Sequence, residues 1–280
     1  MLKNTFLHIP GIGIKSEHIL WSSGILSWDD FLGSYPTPLS KNTRNTIRCH
    51  VEESVKHLTN KNSHYFKNLL PFKQLWRPFP EFRDAIAYLD IETTGLDNER
   101  SHITTIALYD GKSVFNYIYG INLDDFREDI RKYKVVVTYN GKCFDIPFIK
   151  SYLGIEMNHF HIDLRYILKS LGYKGGLKGC EKYLGIDRGA LDGVDGFCAI
   201  LLWDDFIRNK NKKALETLLA YNILDTVNLE RLMIIAYNLK LRDTPFSESH
   251  TLPLPSSPII PFKADRDTIE KIKFESYRFY

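Results

Sequence analysis

Residues 85–95 read AIAYLDIETTG, a short apolar run that ends in two acids and then turns. Its length and composition predict a strand buried on both faces. Asp90 and Glu92 lie two apart, so on a strand both side chains leave the same face. Thr93-Thr94-Gly95 marks where the strand must turn. Two adjacent acids at the end of a central strand repel each other unless a cation compensates, and without one at least one pKa is driven up. The competing reading is a pair of solvated acids capping a strand.

Working outward, ITTIALYD (103–110) and SVFNYIYG (113–120) are separated only by Gly111-Lys112 and read as a hairpin. A charged helical segment at 123–132 leads to VVVTYN (135–140), another buried strand. FDIPFIKSYLG (144–154) predicts a helix with Asp145 at its start, Pro147 in its first turn and Gly154 at its end. Strand, hairpin, helix, strand and helix open a mixed α/β sheet flanked by helices.

The segment 212–240, KKALETLLAYNILDTVNLERLMIIAYNLK, predicts a long helix. At ~100° per residue, Ala214, Leu218, Tyr221, Asp225, Leu229, Leu232 and Ala236 share one stripe. An acid inside an apolar stripe is expensive to bury unless it is paired or ligates a metal. Tyr221, one turn earlier, can point its hydroxyl into the same pocket. Asp145, at a helix N-terminus, reads equally well as a helix cap. Asn140, at the end of the preceding strand, belongs to the same turn.

At these positions the chain resembles the DEDD exonucleases. Asp90-Ile-Glu92-Thr-Thr-Gly looks like their first motif, Asn140-Gly-Lys-Cys-Phe144-Asp145 like their second, and Tyr221-Asn-Ile-Leu-Asp225 like their third, in order. Position 220 is Ala, so the third motif is the Tyr version and not the His version. More narrowly, the chain is similar to the YprB-type exonuclease family. That similarity includes HFHIDLRYIL (159–168), GLKGCEKYLGIDR (176–188) and LDGVDG (191–196), and covers about residues 80–240. The resemblance implies a ribonuclease-H-like fold and removal of nucleotides from a 3′ end of nucleic acid. It implies Asp90, Glu92, Asp145 and Asp225 as ligands of two Mg²⁺ or Mn²⁺ ions, with Tyr221 orienting the attacking water. Four carboxylates suit that chemistry: two hard cations ~3.5–4 Å apart can clamp both the attacking and the leaving oxygen.

His161 and Asp163 could support the metal site from behind, or serve structure alone. GYKGGLKG (172–179) could hold a phosphate backbone through Lys174, Lys178 and exposed amides, or be a plain connector. It lacks the P-loop pattern. Thr93 and Asn140 are further candidates for nucleic-acid contact.

HIPGIGIKSEHILWSSGILSWDDFL (8–32) resembles a helix–hairpin–helix element whose first helix is very short or absent. Gly11 and Gly13 would let backbone amides approach a phosphate, with Lys15 beside them. Ser27-Trp-Asp-Asp30 has capping-box form. The expected organisation is the hairpin element at 1–33, a helical linker region at 34–80 punctuated by Tyr-Pro-Thr-Pro at 35–38, the exonuclease domain at 81–242 and a proline-rich tail at 243–280 that either packs on the body or stays loose.

The 280-residue chain is 44% hydrophobic and 25% charged, ordinary for a globular protein. Its net charge of +3 permits a polyanionic partner without arguing for one. Cys49, Cys143, Cys180 and Cys198 form no C-x-x-C pair, and reduced, mostly buried thiols are expected. No apolar run approaches a membrane span, and the start lacks a signal-peptide pattern, so a cytoplasmic protein is expected. Two rival functions are a catalytically idle nucleic-acid-binding module of the same fold and a metal-dependent phosphatase of small molecules.

Overall fold

Alternation along one strand divides the molecule into two layers. In β1 (Ile86–Thr93), Ala87, Leu89 and Ile91 join one hydrophobic cluster while Ile86 and Tyr88 join another. The acids Asp90 and Glu92 continue the second series, so both point to the Tyr88 face. The structure, a computed structural model, describes residues 1–33, 39–97 and 99–276. The Tyr-Pro-Thr-Pro stretch at 35–38 lies outside them.

β1 is the centre of a five-stranded sheet with order β3-β2-β1-β4-β5. The strands β2 (Ile103–Tyr109) and β3 (Val114–Ile118) form the expected hairpin, antiparallel to β1. β4 (Val135–Thr138) and β5 (Phe160–Asp163) add on the other side in parallel, Ile86 opposite Val135 and Val137 opposite Ile162. The β1–β2 register slips between Glu92 and Thr93, a bulge where the strand leaves the ladder.

The helices in chain order are α1 (Ile14–Ser22), α2 (Trp28–Leu32), α3 (Lys41–Thr59), α4 (Ser63–Leu69), α5 (Phe126–Asp129), α6 (Asp145–Leu153), α7 (Leu164–Ser170), α8 (Gly176–Tyr183), α9 (Gly196–Asn209), α10 (Lys212–Leu241) and α11 (Arg266–Ser276). Phe126 of α5 and Phe148, Ile149 and Leu153 of α6 cover the Leu89 face. α10 lies across the Tyr88 face, with Ile223, Val227 and Leu232 in that layer. The expected stripe on α10 is buried, but the helix is buried on nearly every side between Thr217 and Glu230. α9 and α11 pack on it as well as the sheet, so few positions are left for solvent.

Residues 1–33 share the α10 core: Leu2, Phe6 and Trp28 sit in one cluster with Phe66, Trp76, Phe79 and Tyr237. Ahead of the Gly11 turn stands only a short 3₁₀ turn at Leu2–Asn4. The 243–276 stretch packs on the body: Asn238 and Leu252 exchange two hydrogen bonds, and Ile269 and Ile272 of α11 are buried. Cys180 and Cys198 are buried as expected, whereas Cys49 and Cys143 are exposed, since they sit on the outer side of α3 and in the loop before α6.

Candidate metal centre

Asp90, Glu92 and Asp225 offer carboxylate oxygens that all lie within 4.8 Å of one another. Strand alternation sends the first two toward α10, and α10 presents Asp225 to them from the middle of its buried length. Asn222, one turn before Asp225, locks the register. Its Nδ2 donates to Asp90 Oδ2 at 2.7 Å, and its Oδ1 accepts from Thr105 Oγ1 of β2 at 3.0 Å.

Asp145 is not a helix cap. Phe144 holds the N-cap position without a side-chain bond, and Asp145 opens α6 as its first residue. Its Oδ1 accepts instead from the Ile91 backbone N–H at 3.3 Å, tying α6 to the acidic end of β1. The turn that delivers it is tightly specified. Asn140 adopts φ 67°, and a Cβ at Gly141 would stand 2.3 Å from Thr138 Oγ1. Asp163 organises the same turn, accepting from the Asn140 and Lys142 backbone N–H groups at 2.8 and 3.0 Å.

Electrostatically the acids are overcrowded. Burial, then Glu92 and Asp225, raises Asp90 well above the usual carboxylate range. Burial and Asp225 do the same to Glu92. Burial pushes Asp145 up to about 7, against the opposing pull of its backbone hydrogen bonds. Such shifts mean that burial, reinforced at Asp90 and Glu92 by the neighbouring acids, disfavours the fully ionised cluster.

Two cations approach Asp225 from the other side. Lys178 of α8 donates to Asp225 Oδ2 and, at 2.7 Å, to the Tyr221 hydroxyl. Arg188 Nη2 stands 2.6 Å from Asp225 Oδ1. That contact is a charge-assisted ion pair on the second carboxylate oxygen of Asp225. Burial, then Asp225, raises the Tyr221 phenol well above its ordinary value, so the hydroxyl stays protonated.

All five expected active residues, Asp90, Glu92, Asp145, Tyr221 and Asp225, line one open cleft of ≈ 610 Å³. Asn140, Lys174 and Lys178 line it too, beside Arg165 and Lys169. Lys178 differs from its expected place on a phosphate backbone: it lies on the carboxylates and over the Tyr221 ring, 4.7 Å from its centroid. Thr93 is outside the cleft lining and closes the turn after β1, its Oγ1 donating to Gly95 O at 2.6 Å. His161 and Asp163 lie within β5 and not after it. Both face a separate apolar cavity, where His161 contacts Thr138 Oγ1 at 2.9 Å. Gly11, Gly13 and Lys15 are exposed around the start of α1 and line no part of the cleft.

Sequence reasoning missed Asn222, Arg188, Glu181 and Asn228. A signal existed for two of them. Asn222 and Asn228 are polar residues on the same buried helix as Asp225, and the argument that singled out Asp225 applies to them. Nothing local marks Glu181 or Arg188.

The residues present fit a divalent ion. Three converging carboxylates supply the oxygen donors that hard cations need, and burial together with the neighbouring acids raises two of them well above the usual carboxylate range. Asp90, Glu92 and Asp225 would hold it, with Asp145 beside them.

Residues 87–237, more than half of the chain, match the RNase_H_2 model of the RNase_H superfamily. No curated protein matches the chain. Among solved structures, NrnC of Brucella melitensis bound to pGG is 16% identical, with 71% of this chain and 85% of that chain covered and a TM-score of 0.42. The same protein with bound Mg²⁺ is 17% identical, with coverage of 71% and 86% and a TM-score of 0.42. The family B DNA polymerase of the hyperthermophilic archaeon Pyrobaculum calidifontis is 16% identical over 56% of this chain, with a TM-score of 0.41, and this chain spans 24% of that one. The family match runs from β1 almost to the end of α10 and so contains all four acids of the cleft: this chain belongs to the RNase H superfamily.

Proposed function

We propose that the protein is a metal-dependent nuclease of the YprB type that removes nucleotides from a 3′ end of nucleic acid. The observation that carries this reading is the carboxylate cluster on the floor of a cleft lined by Arg165, Lys169, Lys174 and Lys178. Acids alone would repel a polyanion. A basic wall beside them draws a phosphate backbone across the floor.

Asp90, Glu92, Asp145 and Asp225 are the proposed ligands of two Mg²⁺ or Mn²⁺ ions. Bound there, such ions supply charge neutralisation at the phosphate and an acidified water. The chain's own groups do the rest. Tyr221, protonated and directed into the cleft, hydrogen-bonds and orients the attacking water. Lys178, half-exposed at the cleft floor, is within reach of a phosphate oxygen once its carboxylate partner is engaged elsewhere. Asn222 keeps Asp90 in place, and Asp163 keeps the Asn140–Asp145 turn in place.

End-labelled DNA and RNA oligonucleotides, incubated with Mg²⁺, Mn²⁺ or EDTA, test the proposal. We expect stepwise shortening of 5′-labelled strands with either ion and none in chelator. Hydrolysis unaffected by excess EDTA would overturn the metal reading, and loss of a 5′ label first would overturn the polarity.

A further inference from the structure

Behind Asp225 runs a closed ring of buried polar side chains, whose members other than Asp225 take no part in lining the cleft. It begins on α10, where Asn228 Nδ2 donates to Glu181 Oε1 of α8 at 2.7 Å. Glu181 Oε2 accepts from Arg188 Nη1 at 2.7 Å. Arg188 then returns to α10 at Asp225, three residues before the starting Asn228. The side chains of Glu181, Arg188 and Asp225 are 0%, 4% and 3% exposed. The guanidinium also lies over the Tyr221 ring, 5.6 Å from its centroid, while Lys178 takes the same ring at 4.7 Å.

Stability alone does not account for this ring. Apolar residues of similar volume commonly replace a buried ion pair at no cost or with a gain. Here the Nε donor of Arg188 remains buried without a hydrogen-bond partner. A pair serving only to neutralise Glu181 would have no need to reach Asp225 as well. What the ring does achieve is geometric. One cation, tethered by its bond to Glu181, contacts a carboxylate oxygen of Asp225 and backs the ring of Tyr221, the two groups that α10 contributes to the cleft.

We propose that Arg188, anchored by Glu181 and Asn228, is a positioning residue of the metal centre that sets the orientation of Asp225 and Tyr221. It touches neither substrate nor ion. This rests on the nuclease reading above for its kinetic consequence, but its effect on ion binding does not.

Arg188→Met alone would strand two buried carboxylates, so the measurement uses the full chain carrying Glu181→Gln with Arg188→Met. If Arg188 only balances Glu181, this neutral replacement restores everything. If it positions Asp225, kcat on an oligonucleotide falls ~10- to 100-fold per folded molecule, with KM within about 3-fold. A freed Asp225 also accommodates a larger ion. The ratio of Ca²⁺ to Mg²⁺ dissociation constants, from calorimetry without nucleic acid, should therefore move toward Ca²⁺ by ~3-fold or more. Unchanged kcat and an unchanged ion ratio in the folded double variant would overturn the proposal. Should that variant not fold, Arg188→Lys, which keeps the charge but cannot span both carboxylates, decides by the same two readouts. If the parent binds Mn²⁺ yet hydrolyses no oligonucleotide, the nuclease reading falls and the ion ratio alone judges Arg188.

Discussion

Arg77 and Arg188 are both buried against carboxylates, in opposite electrostatic settings. Arg77 pairs with Glu17 of α1 at 3.0 Å and stacks near Trp21 and Trp76, with centroids 5.5 and 5.4 Å away. Glu17 Oε1 also accepts from Thr5 Oγ1 and the Phe6 N–H. One acid meets one cation there, and two further donors reach Glu17 Oε1. Around Arg188 the acids outnumber the cations that touch them: among the described residues, Asp90, Glu92, Asp145, Asp225 and Glu181 are met at contact by Lys178 and Arg188. The first pair ties the N-terminal segment to the Arg77 loop. The second leaves a surplus of negative charge that a divalent ion would neutralise. Burial is common to both, so the local charge balance, and not burial, separates a structural pair from a metal-demanding one.

The largest expected effect tests that contrast directly. Asp225→Asn should lower metal-dependent hydrolysis by ~10³-fold or more, because a charged oxygen donor of the proposed ion is removed. Arg77→Met should do the reverse, costing about 3–5 kcal/mol in urea unfolding with unchanged turnover per folded molecule. A destabilised, fully active Asp225→Asn would erase the distinction.

Tyr221→Phe comes next. The ring keeps its packing and loses only the hydroxyl that Lys178 touches, so kcat should fall by ~10- to 1,000-fold with little change in melting temperature. Unchanged turnover would make Tyr221 a core residue only.

The pH response is smaller and has a definite sign. Asp145 titrates near 7 in the folded chain against an ordinary 3.8, and Asp90 and Glu92 are raised in the same direction. The folded state therefore holds protons that the unfolded state has released. Metal-free stability should fall as pH rises from about 4 through about 7. Added Mn²⁺, which binds the ionised form, should raise the melting temperature more at pH 8 than at pH 5. An equal Mn²⁺ shift at both pH values would count against these carboxylates as ligands.

The smallest effect concerns the N-terminal turn. Gly11 adopts φ +81°, so Val there strains the backbone, whereas Gly13 has an ordinary extended φ and open space around a Cβ. Gly13→Val is thus the cleaner probe of phosphate contact. If the Gly13 amide holds a phosphate, the slope of log affinity against log salt on duplex DNA should flatten by ~1 unit at an unchanged melting temperature. An unchanged slope assigns the turn to packing.

Much of this was legible in the chain itself. The AIAYLDIE strand, the hairpin after it, the VVVTYN strand and the long 212–240 helix appear within a residue or two of where composition and periodicity place them. Backbone periodicity and side-chain polarity are local properties, and they suffice to place Asp90 and Glu92 on one face and Asp225 inside a buried helix. What those acids meet was not local. Asn222 reaches Asp90 across 132 positions of sequence, and Lys178 reaches Asp225 across 47. Whether Asp145 caps its helix or binds the Ile91 amide depends on how closely α6 docks to β1. The Asn228–Glu181–Arg188–Asp225 ring exists only because α8 folds back on α10. Sequence determined which residues carry charge into the core, while tertiary packing alone decided which of those charges are balanced, because Coulomb and hydrogen-bond partners are set by distance in space.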